Sequence, residues 1–163
     1  MPNPTKINHP IISSYVQNFI NLNEIPANIA IDEHLVFEMF LNDLVLETYT
    51  NDINASYEEM ETGRAIGIDG VAIFVADKHI TSIDDFELVT TDLKKFDVDF
   101  YFTQAKTSEH FDRQDVNDFL NAVIKFFDIG RDKCLIPELA NLWEIVKYIY
   151  TKTPKFKKLP KLH

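Results

Sequence analysis

Apolar residues recur at helical spacing early in the chain, through Ile11, Ile12, Tyr15, Phe19, Ile20 and Leu22. They predict a first helix after an irregular, proline-containing lead-in over residues 1–10. Residues 23–27 break it, with Pro26 inside the break. Asp32 then suits the N-cap of a second helix reaching about Thr50. Its apolar arc is wide (Leu35, Val36, Phe37, Met39, Phe40, Leu41, Leu44, Val45 and Leu46), which predicts extensive burial. Residues 51–65, with Gly63, are polar and loop-like. The stretch 66–76, IGIDGVAIFVA, is rich in β-formers and predicts a strand, followed by a turn at Asp77-Lys78 and a short strand near 79–82. Phenylalanines 96, 100 and 102 alternate with polar residues in a third strand over 96–106. Helical spacing returns over 111–129 (Val116, Phe119, Leu120, Val123, Ile124, Phe127) and stops at Gly130. Pro137 suits the first turn of a last helix ending near Tyr150.

This order predicts an α/β domain, a mixed three-stranded sheet flanked by helices, formed by residues 1–163 as one unit. Such a sheet usually has a further strand guarding its edge. The expectation is therefore that the chain is an N-terminal piece of a longer protein, with a truncated fourth strand and a tail over 151–163 that leads out of the core.

Composition sharpens this picture. Hydrophobic residues are 45% of the chain, enough for a packed core. Cys134 is the only cysteine, so no internal disulfide forms and nothing points to an oxidising compartment. No basic-then-apolar leader and no long apolar run is present, which predicts a cytoplasmic protein without a membrane span. The net charge of −10 runs against a nucleic-acid partner, whose footprint is normally basic. Yet the charge is unevenly spread. Lys152, Lys155, Lys157, Lys158 and Lys161 give the tail +5 without one acid, and the body carries −15.

Period-two alternation places Asp69 on one face with Val71, Ile73 and Val75. Gln104 and Lys106 share theirs with Val98, Phe100 and Phe102. An acid, an amide and an amine at the ends of apolar faces need partners, because burying them alone costs several kcal/mol. On neighbouring strands they form one polar cluster that suits a hard, oxygen-seeking cation such as Mg²⁺. His34, His79 and His110 show no metal-ligand spacing, and Glu47 and Asp99 are expected to face solvent. The aromatic set Phe100, Phe102, Phe119, Phe126 and Phe127 is expected in the core. The lysine tail reads as a polar lead into a following element before it reads as a phosphate-binding arm.

An acid in one strand followed about 35 residues later by Q-A-K in another resembles the PD-(D/E)XK nucleases in their Q-X-K form. GIDGVAIFV at 67–75, FYFTQAKTS at 100–108 and NDFLNAVIKFF at 117–127 are similar to the N-terminal part of abortive infection phage resistance (AIPR) proteins. FEMF at 37–40 is similar to that family's helix-borne glutamate. The resemblance implies a restriction-endonuclease-like core and Mg²⁺-dependent (or Mn²⁺-dependent) cleavage of nucleic acid, DNA before RNA, in anti-phage defence. It implies Asp69 as chief metal ligand, with Gln104, the Ala105 carbonyl and Glu38, and Lys106 as the residue that holds the attacking water. Gln104 is neutral where most of that superfamily has an acid, so the alternative is a nuclease-fold module that binds nucleic acid or a partner without cutting. Further partners implied are the C-terminal remainder of a parent protein and, among arrangements left open, a homodimer.

Overall fold

The computed structural model describes residues 7, 9–60, 62, 65–107 and 112–163. Most of the lead-in, Gly63, Ser108, His110 and Phe111 lie outside the described residues. Helices α1 (Pro10–Leu22), α2 (Ala27–Ala30) and α3 (Glu33–Tyr49) come first. A β-hairpin, β1 (Gly70–Val75) and β2 (Lys78–His79), is followed by α4 (Ile83–Thr90) and β3 (Val98–Thr103). Then come α5 (Arg113–Phe126), α6 (Ala140–Tyr150) and β4 (Lys161–Leu162).

The sheet is mixed, in the order β2-β1-β3-β4, with β1 antiparallel to both β2 and β3. Alternation sends its two faces into two cores. Val71, Ile73, Val75, Val98, Phe100 and Phe102 meet Phe86 of α4, Ala122 and Phe126 of α5, and Trp143, Val146 and Ile149 of α6. Ala72, Phe74 and Tyr101 meet Val16 and Phe19 of α1, and Val36, Phe37, Met39 and Leu46 of α3. The sheet is thus sandwiched between helical layers, and the expected aromatic core is present. Phe100 and Phe102 both meet Phe127 edge to face. Of the expected arc of α3, Val36, Phe37, Met39 and Leu46 are buried, Leu35, Phe40, Leu41 and Val45 are partly buried, and Leu44 is exposed.

Four expectations change. The hairpin turns at Ala76 and Asp77, not Asp77 and Lys78: both have positive φ (49° and 62°), and Val75 faces Lys78. A two-residue loop of that hand matches the twist of the flanking strands. α4 is an added element, started by Ser82, whose side chain accepts the Asp85 N–H. The first strand is shorter than expected because residues 66–67 form a turn, with Gly67 at φ 82°. A fourth strand is present: Lys161 and Leu162 run parallel to β3 opposite Asp99 and Phe100, so the tail lies along the core.

Electrostatics and edge bonding explain the tail. β3's outer edge has backbone groups to satisfy, and the Lys157 N–H donates to the Phe96 carbonyl (2.9 Å) while the Phe102 N–H donates to the His163 carbonyl (3.0 Å). Lys157 and Lys158 pair with Asp97 at 3.4 and 3.3 Å. Asp99, expected in solvent, is half-buried and bonded to His163 Nε2 at 2.8 Å.

At the opposite edge, Asp52 pins the hairpin. Its carboxylate accepts the His79 N–H (2.8 Å) and the Asn54 N–H (3.2 Å), and lies 3.5 Å from the Lys78 ammonium. Burial alone would raise the Asp52 pKa, but these donors together carry it below the ordinary carboxylate value. The His79 ring is buried and stacked on Phe74 at 5.1 Å, a structural role. Among the described residues, no helix is long and apolar enough to cross a membrane.

Candidate functional site

The antiparallel register sets Gly70 opposite Thr103. Asp69, one residue before β1, therefore lies beside Gln104, one residue after β3. Both were expected within strands; the ladder stops one residue short of each, so Asp69 and residues 104–106 sit on the strand-end loops. The Asp69 N–H donates to the Thr103 carbonyl at 2.9 Å. The Ala105 N–H donates to Asp69 Oδ2 at 2.6 Å, a charge-assisted bond joining the acid to the middle of the Q-A-K string. Burial raises the Asp69 pKa, and the Ala105 N–H offsets this only in part.

Helix α3 lies against the same loops. His34, Glu38 and Asn42 stand four residues apart and so share one stripe. At one end of the stripe, His34 Nδ1 and Thr107 Oγ1 are 3.2 Å apart. At the other, the Thr103 hydroxyl donates to Asn42 Oδ1 at 2.6 Å, and Asn42 Nδ2 reaches the Asp69 carbonyl at 3.4 Å. Half-buried Glu38 lies on the helix turn between these contacts, and so at the level of residues 103–107. No protein-family model, curated protein or solved structure matches this chain.

Asp69, Gln104, Ala105 and Lys106 are thus gathered at one end of the β1–β3 pair, with the Glu38 turn of α3 alongside. Lys106 is directed to α5, where its ammonium pairs with Asp115. Asp115 also accepts the Asp112 N–H, while its own N–H donates to the Asp112 carboxylate, a reciprocal cap on α5. Among the described residues, no group of three or more His, Cys, Asp or Glu side chains is placed to hold a metal ion. A cation here would rest on the Asp69 carboxylate, with Glu38 and the neutral oxygens of Gln104 and Ala105.

Three contributors escape sequence reasoning: Asn42, Thr103 and Asp115. Asn42 carried a signal, being a polar residue inside the apolar arc of α3 and one turn beyond Glu38. Asp115 also carried one, in the D-x-x-D spacing that opens α5.

Proposed function

We propose that this chain is a metal-dependent phosphodiesterase domain that cuts nucleic acid, DNA in the first instance, with Mg²⁺ or Mn²⁺. The observation that carries the reading is the bond between the Asp69 carboxylate and the Ala105 N–H, which joins the strand-end acid to the Q-A-K loop beside α3. The donor chemistry fits a hard divalent cation, because every candidate ligand is an oxygen.

Bound there, such a cation would polarise a phosphoryl oxygen and lower the pKa of water. The chain's own groups would supply the rest. Asp69, oriented by the Ala105 N–H, would be the chief ligand, with Gln104, the Ala105 carbonyl and Glu38 completing the protein side. Lys106, which pairs with Asp115 on α5, would turn to hold the attacking water and offset charge on the scissile phosphate. The acidic body would hold a duplex weakly, since phosphate contacts supply most non-specific affinity. Cutting should therefore be slow and favoured by low salt. The setting this suits is defence against foreign nucleic acid inside the cell, as the AIPR resemblance implies.

The Lys106–Asp115 pair and the two-acid donor set favour a second reading, a module that binds nucleic acid without cutting it. The deciding assay is cleavage of plasmid DNA, single-stranded DNA and RNA at low salt, with and without Mg²⁺ or Mn²⁺. Metal-dependent cutting that disappears in Asp69→Ala and Lys106→Ala is expected. Equal cutting by all three proteins overturns the proposal, and metal-independent retention of DNA without cutting selects the second reading.

A further inference from the structure

Asp69 stands where the β1–β3 ladder gives out, and a strand end normally frays. Asn42 is only 2% exposed, so its carboxamide must be satisfied within the protein. The Asp69 carbonyl, which can only accept, settles which way that amide faces. Nδ2 donates to it, which leaves Oδ1 to accept the Thr103 hydroxyl. Asn42 thereby ties α3 to the last residue of β3 and to the residue that precedes β1. Gly70 makes room for this contact: a Cβ there would overlap Asn42 Oδ1 and Thr103 Oγ1. Asp69 is then fixed at three points, its N–H by Thr103, its carbonyl by Asn42 and its carboxylate by Ala105.

We propose that Asn42 is the positioning residue of the site, a latch working through Thr103 that sets where the Asp69 carboxylate stands. The functional half of this inference rests on the reading of Asp69 as the working carboxylate; the geometric half does not. Asn42 itself need touch neither substrate nor metal. Its effect passes through the Asp69 peptide group.

The test uses Thr103→Val, which removes the hydroxyl and keeps the side-chain shape, beside Thr103→Ser, which restores it, and Asn42→Ala. Amide hydrogen exchange is followed by NMR at Ala105, whose N–H reports on the Asp69 carboxylate, and at Val146 inside α6 as a control for global stability. Thr103→Val and Asn42→Ala should speed exchange at Ala105 relative to Val146 by about tenfold, the factor that one hydrogen bond is worth. Thr103→Ser should return it to the native ratio. Where the native chain cleaves, kcat should fall by a similar factor with KM little changed, and Thr103→Ser should recover it. An unchanged Ala105-to-Val146 ratio in Thr103→Val, or a Thr103→Ser protein as fast as Thr103→Val, overturns the proposal. Should Asn42→Ala fail to fold, Thr103→Val and Thr103→Ser decide alone. Absence of cleavage by the native chain counts against the nuclease reading only, because the exchange ratio still decides the latch.

Discussion

Replacing Asp52 with Asn tests whether a single carboxylate secures the β1–β2 hairpin to the segment before it. The substitution keeps the shape but leaves one acceptor oxygen for two backbone donors, the N–H groups of His79 and Asn54. The new NH₂ then faces an N–H it cannot accept. The shorter bond, from His79 at 2.8 Å, goes to a charged acceptor in a side chain only 4% exposed. Bonds of that kind contribute about 1.5–3 kcal/mol, whereas the half-exposed Lys78 partner adds little. A loss of about 2 kcal/mol at neutral pH is expected, or about 4–8 °C in Tm for a chain of this size. The pH dependence has a definite sign. Because the folded pKa of Asp52 is lowered, its contribution is complete above the ordinary carboxylate value and disappears as pH falls through the lowered one. Urea unfolding of both proteins at about pH 7 and about pH 3 should therefore show a gap that narrows in acid, with similar m-values. A gap below about 0.5 kcal/mol at neutral pH, or one unchanged in acid, would refute the reasoning.

On the proposed nuclease reading Asp69→Asn should abolish cutting, yet it should unfold at the same temperature or higher at neutral pH. A raised carboxyl pKa means that the native state favours the protonated form, so its stabilising effect is lost as pH rises through that value. A marked fall in Tm by calorimetry would contradict this. Gly70→Ala should destabilise by about 1–3 kcal/mol in urea titrations, the usual cost of overpacking, because Asn42 and Thr103 occupy the space a methyl needs. A neutral substitution would show that the strand end yields. Asp97→Asn should loosen the tail, which Lys157 and Lys158 hold there, so trypsin should cut within 152–161 faster than in the native protein. Added salt should shrink the difference between the two.

Much of the layer arrangement was legible because burial on both sides of a strand leaves a period-two record. Val71, Ile73 and Val75 share one face, as their spacing predicts, and that face meets the α5–α6 layer together with Val98, Phe100 and Phe102. The antiparallel register, with Gly70 opposite Thr103, is what sets Asp69 and Gln104 at one end of the sheet. Strand limits were less legible, since a β-rich composition extends past the last hydrogen bond, as it does at Gly67 and Gln104. α4 was missed because it is short and buries only Phe86 and Thr90. Its signal lay in the cap, Ser82 with Asp85. β4 was missed because what places it is remote: the free edge of β3 and two acids about 60 residues earlier in the chain. Thr103 was illegible, and Asn42 showed only as a polar residue in an apolar arc, for a related reason. Neither belongs to a motif, and they acquire a role only when α3 meets the sheet.

That dependence on docking has a kinetic consequence. The contacts that define the site span long stretches of chain: 36 residues from Asp69 to Ala105, 61 from Asn42 to Thr103 and 73 from His34 to Thr107. Non-local contacts of this kind are closed late in folding, after the chain entropy of long loops has been overcome. A ribosome-bound or half-folded chain has the acid, the amide and the amine but no arrangement of them. Whatever chemistry the strand ends perform begins only once the last long loop has closed.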